Sequence, residues 1–406
     1  MLPSGTGLVA EVDGENKSYY KLVKMEDEKD YYRFFSLREK KVVKIKRNPR
    51  LMLPWQRDIL PPDEAICFGS SRGWLAFIHP RNCSLYLFNP FVHSHLPYLP
   101  LPPIQTLPDI ISTMRYPDLS NIQTSSSSST PSSSSKYNCI TEYHAWKRYH
   151  PVSSQELCSE VTFFNKIVLS SYPSPFPPNH QLHHHDVDDC SAHQCTVMVI
   201  QGYDDTRKPA FCRIGDTAWT ALDATDEMYT DLIYFGMDQN FYAYIETSRS
   251  IEAWDLRNPD SPKKTVIISN HIPPFGDPTE LDRYLVDSSG ELLMVVRYYT
   301  YHRYKKTLSF EVYKLDFVNK EWLLLPSLGH DRALFIGMND AISVSPIDFP
   351  GLPMNCIYFT SPDAHFLKNS HDLGIFNFED KRVTPIYYYD LGIALPSPWI
   401  VPSAQQ

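Results

Sequence analysis

Positive charge is in short supply in this sequence: 38 Lys and Arg stand against 47 Asp and Glu in 406 residues, a formal net charge of −9. Nucleic-acid binders usually carry a basic balance, so no nucleic-acid partner is expected. The one basic run, Lys40-Lys41-Val42-Val43-Lys44-Ile45-Lys46-Arg47, alternates charged with β-branched residues and reads as a strand with one solvated face. Long apolar runs are also absent. Leu292-Leu293-Met294-Val295-Val296 falls far short of the ~20 residues of a membrane span. Met1 to Gly14 has neither a basic nor an apolar segment of the signal-peptide kind. The eight cysteines (Cys67, Cys83, Cys139, Cys158, Cys190, Cys195, Cys212 and Cys356) are scattered rather than packed into a short disulfide framework. These absences together lead us to expect a cytoplasmic or nuclear protein with no membrane partner. There is no phosphate-binding P-loop and no dinucleotide fingerprint, so no cofactor is expected. No long amphipathic helix is found.

What is present points to an all-β chain: 34 prolines, 13% aromatics and many short β-branched or aromatic runs. Six segments share one pattern, an apolar-x-apolar pair, a polar turn and another short strand. The pairs lie at Phe35/Leu37, Leu85/Leu87, Cys212/Ile214, Trp254/Leu256, Tyr313/Leu315 and Phe376/Phe378. Alternate residues of a strand share a face, so each pair can point into one core. Two further strands can usually be found upstream of each pair. Four strands repeated at roughly 40–60 residues is the arithmetic of a β-propeller. Six units fit, at about 7–47, 66–100, 163–222, 231–268, 283–328 and 333–388. Seven blades are the alternative, since residues 102–162 have room for another, and a pair of β-sandwiches is the competing all-β arrangement.

Two segments depart from the repeat. Residues 102–162 include Thr124 to Lys136, TSSSSSTPSSSSK, a low-complexity run with almost nothing to bury and expected to be disordered. Residues 172–194 are rich in Pro and His. Their neighbourhood holds His180, His183, His184, His185, Asp186, Asp188, Asp189, Cys190, His193 and Cys195, a dense set of potential ligands whose spacing fits no standard zinc site, so no metal is expected. Gly69-Ser70-Ser71-Arg72-Gly73 matches the G-x-S-x-G of a serine-hydrolase elbow. That motif requires a helix after the serine, whereas Trp74 to Ile78 reads as a strand. Ser71 is therefore read as part of a hairpin, no catalytic residue is assigned, and the chain is not expected to be an enzyme.

The order of several motifs resembles the propeller domain of a large plant group of F-box proteins that includes the KIB proteins of brassinosteroid signalling. The motifs are Gly69 to Leu75 with Leu87-Phe88-Asn89-Pro90-Phe91, Ala210 to Trp219, Asp231 to Phe235, Gly290 to Arg297, Ser327 to Gly337, Asn355 to Phe359 and Pro398-Trp399-Ile400. The resemblance covers about 66–400 and implies a propeller; with the strands read before it, one propeller domain over about 1–400 is expected, without an F-box. The resemblance also implies a substrate-receptor role: in such proteins an N-terminal F-box docks the Skp adaptor of a cullin ubiquitin ligase and the propeller presents a target protein. Residues 1–47 read as strands rather than as an F-box, so direct binding to the Skp adaptor is not expected. The expected partner is a target protein, unidentified by the sequence. A propeller enzyme with a channel site and a non-functional truncated family member are the alternatives. Loops on a rigid scaffold concentrate binding residues, and tyrosine and arginine are enriched at hot spots. Phe275, Tyr301, Arg303 and Tyr304, on long loops predicted to share one face, are therefore the candidate partner-binding residues.

Overall fold

Some middle strands of this chain are buried along their whole length, not only on alternate residues. Trp74–Ile78 and Thr196–Gln201 are buried at every position. A strand can be so only if both faces of its sheet are covered, as happens when sheets pack face to face around a ring. The outermost strands read differently: Thr220–Ala221 is exposed, and Glu321–Leu325 and Arg382–Pro385 are mostly exposed. The computed structural model describes most of residues 65–110, 163–173, 195–268, 281–300, 306–360, 372–386 and 399–400, with backbone alone for the strands within 12–46 and 110–153.

Four sheets have four antiparallel strands in chain order. They are Ile66–Ser71, Trp74–Ile78, Leu85–Phe88 and Tyr98–Pro100; Phe164–Leu169, Thr196–Gln201, Lys208–Arg213 and Thr220–Ala221; Tyr229–Phe235, Asn240–Ile245, Ser250–Asp255 and Lys263–Ser269; and Leu281–Ser288, Glu291–Tyr301, Lys305–Asp316 and Glu321–Leu325. The fifth sheet has an extra strand. Ala333–Ile336 runs parallel to Cys356–Phe359, because the chain first doubles back through Ile342–Val344 on the inner edge. Gly374–Asn377 and Arg382–Pro385 complete it. Among the described residues the helical structure is a single 3-10 turn, Ile104–Thr106.

Five buried clusters sit between these five sheets, and each joins two neighbours. Phe68 and Leu87 meet Ile167 and Val199 between the first and second. Met198 and Phe211 meet Leu232 and Trp254 between the second and third. Tyr244 and Ala253 meet Leu285 and Met294 between the third and fourth. Val295 and Val312 meet Leu334 and Phe376 between the fourth and fifth. Phe335, Tyr358 and Trp399 meet Leu75, Tyr86 and Phe88 between the fifth and first. Both faces of every sheet are thus occupied, and the cycle closes after five blades. The expectation of six, with seven as alternative, is corrected. The strands Tyr20–Val23, Tyr31–Ser36 and Lys41–Lys46, counted in the sequence as a blade, form a sheet of their own. Residues 110–153 hold a separate three-stranded sheet of Ile110–Pro117, Cys139–Ala145 and Val152–Ser153, not a further blade of the ring. A three-strand meander has the local pattern of a blade, and only the long-range packing of its faces decides whether it joins the ring.

The recurring polar turn has a common mechanism. Asn89, Asp255, Asp316 and Asn377 each accept, through a side-chain oxygen, the backbone N–H two residues on, at 2.9, 3.0, 2.8 and 2.7 Å. These Asx turns replace backbone turns after the third strand and explain why Asn or Asp recurs there.

Candidate functional site

The first strands of successive blades lie side by side around the ring axis, and their hairpins into the second strands gather at one mouth. Among the described residues, the third blade's hairpin has one left-handed residue, Gln239 at 61°, and two other hairpins turn on a consecutive left-handed pair. Arg72 and Gly73 have φ of 47° and 79°, and Ser289 and Gly290 have 55° and 79°. Glycine adopts this region readily, whereas Arg72 carries a Cβ into it at a local cost. A cavity of about 400 Å³ opens between them, walled by Ser71, Arg72, Tyr172, Tyr234, Asp287 and Asp340 among others.

Ser71 lies on its wall. It follows the strand Ile66–Ser71 and turns directly into Trp74–Ile78, which pairs back on it, so no helix follows as a nucleophile elbow would need. Its hydroxyl donates to Asp340 Oδ2 at 2.8 Å and accepts the Leu169 N–H at 3.1 Å. Arg72 Nε donates to the Leu169 carbonyl at 2.7 Å, so one hairpin ties the first blade to the second through both backbone groups of Leu169. The other direction of the ring is tied by the Asp340 N–H to the Ser70 carbonyl at 2.7 Å and by the Ser70 hydroxyl to the Trp399 carbonyl. Burial pushes the Asp340 carboxyl up to about 6, against the pull of Arg72, Lys166 and the Ser71 hydrogen bond.

A second polar tie lies deeper. Lys166 on the second blade and Asp231 on the third form a 2.6 Å ion pair with almost no exposure, and Asp231 also accepts the Leu285 N–H of the fourth blade. Burial raises the Asp231 carboxyl, and the Lys166 charge opposes that shift. An ion pair so buried contributes little net stability but is costly to half-break. It fixes three blades in register around the axis.

The sequence-predicted partner residues are only partly placed. Phe275, Arg303 and Tyr304 lie outside the described residues. The backbone of Tyr301 ends the long second strand of the fourth blade and pairs with Lys305. Of the His-rich ligand set only Cys195 is described; its buried thiol donates to the Ser171 carbonyl at 3.1 Å. Among the described residues no three potential metal ligands come together. Sequence reasoning missed Asp340, Asp231 and Lys166, whose roles depend on partners in other blades.

The chain matches the family model of the KIB1-4 β-propeller over residues 34–377. The chain belongs to this family. A putative F-box protein of Arabidopsis thaliana is 29% identical over 203 residues, covering 47% of this chain and 52% of that protein. An F-box protein of the same plant is 35% identical over 79 residues, or 20% of this chain and 17% of that protein. The chain thus spans about half the length of the first of these relatives and less of the other. Among solved structures, the β-propeller domain of Cps50 (Swd1) from Myceliophteria thermophila aligns at 9% identity and a TM-score of 0.33, covering 94% of this chain and 97% of that one. A fungal lectin from Aleuria aurantia, titled a six-bladed β-propeller, aligns at 8% identity and 0.29, covering 93% and 88%. Likeness at that level bears on neither blade count nor ligand.

Proposed function

We propose that this chain is a protein-interaction propeller that recognises a target protein, in the manner implied for the propellers of plant F-box proteins. Membership of the KIB1-4 propeller family, with curated relatives named as F-box proteins, carries this reading. The geometry supports it: five seams tie the blades into one ring, and Ser71 and Arg72 at the hairpin-side mouth are spent on holding blades together. Ser71 in particular uses its hydroxyl both as donor and as acceptor between blades. The adaptor contact of a ligase is not assigned to the ring.

Two measurements test the reading. Cross-linking mass spectrometry on the full chain in plant tissue should recover a reproducible protein cross-linked to residues of the ring; a ring that takes no protein would overturn the proposal. Chain and Skp adaptor mixed at equal concentration should elute separately on gel filtration, and co-elution would show that the ring or its flanks contact the adaptor directly.

A further inference from the structure

We propose that the hairpin-side mouth of the ring docks a protein segment that inserts an arginine or lysine side chain into the central cavity and lays apolar neighbours on its rim. The inference rests on the reading of the chain as an interaction propeller and names the face and the partner chemistry.

Charge selects the inserted group. Around the mouth, Asp255 and Arg257 cancel through paired bonds of 2.9 and 2.7 Å, and deeper in the ring Lys166 cancels Asp231. Lys314 and Arg332 both pair with Glu291, at 2.6 and 2.8 Å, so with Arg72 three cations stand against four carboxylates, Asp238, Asp287, Asp340 and Glu291. The partners of the first two carboxylates are neutral. Asp287 accepts the N–H groups of Gly236 and Gly290 at 3.1 and 3.2 Å. Asp238 accepts the Tyr242 hydroxyl at 2.7 Å and the Asn240 amide at 3.0 Å. Such bonds fix the geometry of a carboxylate without removing its charge. Arg72 itself is held, with Nε on the Leu169 carbonyl and its guanidinium 5.6 Å from the centre of the Tyr234 ring. An anionic ligand would meet more carboxylate than guanidinium here. A cation would meet carboxylates and the rings of Tyr172 and Tyr234, both of which suit it.

The rim supplies the second observation. Met237, at the tip of the third blade's hairpin, is 72% exposed, and Val318, on the adjacent turn of the fourth blade, is 89% exposed. Phe317 stacks on Phe235 at 5.8 Å and carries this apolar surface from one blade to the next. Exposed apolar groups gathered beside a polar cavity mark interaction surfaces, and methionine adapts to varied partners.

The test is a selection of phage-displayed random dodecapeptides on the full chain, followed by affinity measurement with the synthesised winners. Winners should carry Arg or Lys beside Leu, Ile or Phe, and should weaken as salt rises. Met237→Lys and Asp287→Asn should each weaken them about tenfold or more. Met237 is a surface residue, so Met237→Lys keeps the test open if Asp287→Asn unfolds. Winners that are acidic or lack a basic residue would overturn the inference, as would winners indifferent to both variants, or no winners at all. Peptides that bind but ignore this mouth would leave the interaction reading standing; that reading fails only if the cross-linking experiment finds no protein on the ring.

Discussion

The seam between the fourth and fifth blades and the seam that closes the ring are both apolar cores crossed by polar ties, but the ties are of different kinds. The fourth-to-fifth seam is ionic. Arg297 is wholly buried, and its guanidinium donates to Thr307 Oγ1 at 2.7 Å, the Thr360 carbonyl at 3.2 Å and Asp372 Oδ2 at 2.8 Å, while lying 5.1 Å from the Phe359 ring centre. Thr307 binds the same carboxylate through its hydroxyl at 2.6 Å. The closing seam is built mainly from neutral groups: Trp399 Nε1 donates to the Ile336 carbonyl at 3.0 Å, and its ring meets Phe335 and Tyr358 edge-on at 5.1 and 6.3 Å. Blades that follow each other in the chain are already tethered, so their seam can carry a demanding charge network. The closing seam joins segments far apart in sequence and must recover the loop entropy they lose. Aromatic area and backbone hydrogen bonds do most of this, with the buried Asp340 carboxyl at the edge of the seam.

If that contrast holds, Trp399→Ala should be the most damaging single change. It removes the largest buried ring of the closing seam and one of the two hydrogen bonds to the Ile336 carbonyl, which keeps the Thr360 N–H, at a cost of about 3–5 kcal/mol. Urea unfolding should show the midpoint falling accordingly. A loss below about 1 kcal/mol would show that the ring does not depend on this closure. Arg297→Met should come next. Methionine replaces much of the apolar stem, but Asp372 loses its cation; its side chain is 13% exposed and can be partly rehydrated. We expect a loss of about 2–4 kcal/mol, somewhat below the cost of stranding a fully buried charge. Adding Asp372→Asn should restore part of it, since the stranded charge is then gone, and no recovery would show that packing rather than charge holds this seam.

Ser71→Ala should cost less, about 1–3 kcal/mol, because it leaves the buried Leu169 N–H without its acceptor. This exceeds the small effect expected of a hairpin serine. The same protein separates the structural from the hydrolytic reading: wild type should take no fluorophosphonate label, and labelling abolished by Ser71→Ala would make Ser71 a nucleophile.

The fate of Ser71 shows what was legible in the sequence. That Gly69 to Gly73 is a hairpin could be read from the strand that follows it, a local fact. Its partner Asp340 lies 269 residues away, and nothing local marks it. The blades divide in the same way. The apolar pairs at Trp254/Leu256, Tyr313/Leu315 and Phe376/Phe378 each face the preceding blade, as the repeat implies. In the first blade Leu85 and Leu87 face the following blade, and Tyr86 and Phe88 face the preceding one. The repeat was therefore read one residue out of step there, which exchanges the two faces of the strand. Every residue of Leu85–Phe88 is apolar and buried, so alternation gave no cue. Ring closure is likewise a property of faces in contact, and Tyr31–Ser36 with Lys41–Lys46 shows the strand pattern without membership.

The last prediction concerns pH and Asp340, a carboxyl beside the closing seam. Burial raises the Asp340 carboxyl from 3.8 to about 6. The groups acting on it come from three blades: Arg72 and the Ser71 hydroxyl from the first, Lys166 from the second and Asp231 from the third. Between pH 4 and 6 the folded chain therefore holds this proton while the unfolded chain has released it. Stability from this group is present below the unfolded value and declines as pH rises through the folded one. Asp340→Asn removes the slope and keeps an acceptor for Ser71. The difference in stability between variant and wild type should drift in favour of the variant from pH 4 to pH 7, measured by urea unfolding at each pH. A flat difference for Asp340→Asn would mean that the carboxylate is already paired well enough to ionise normally, and the contrast between an ionic seam and a neutral one would then be lost at this point.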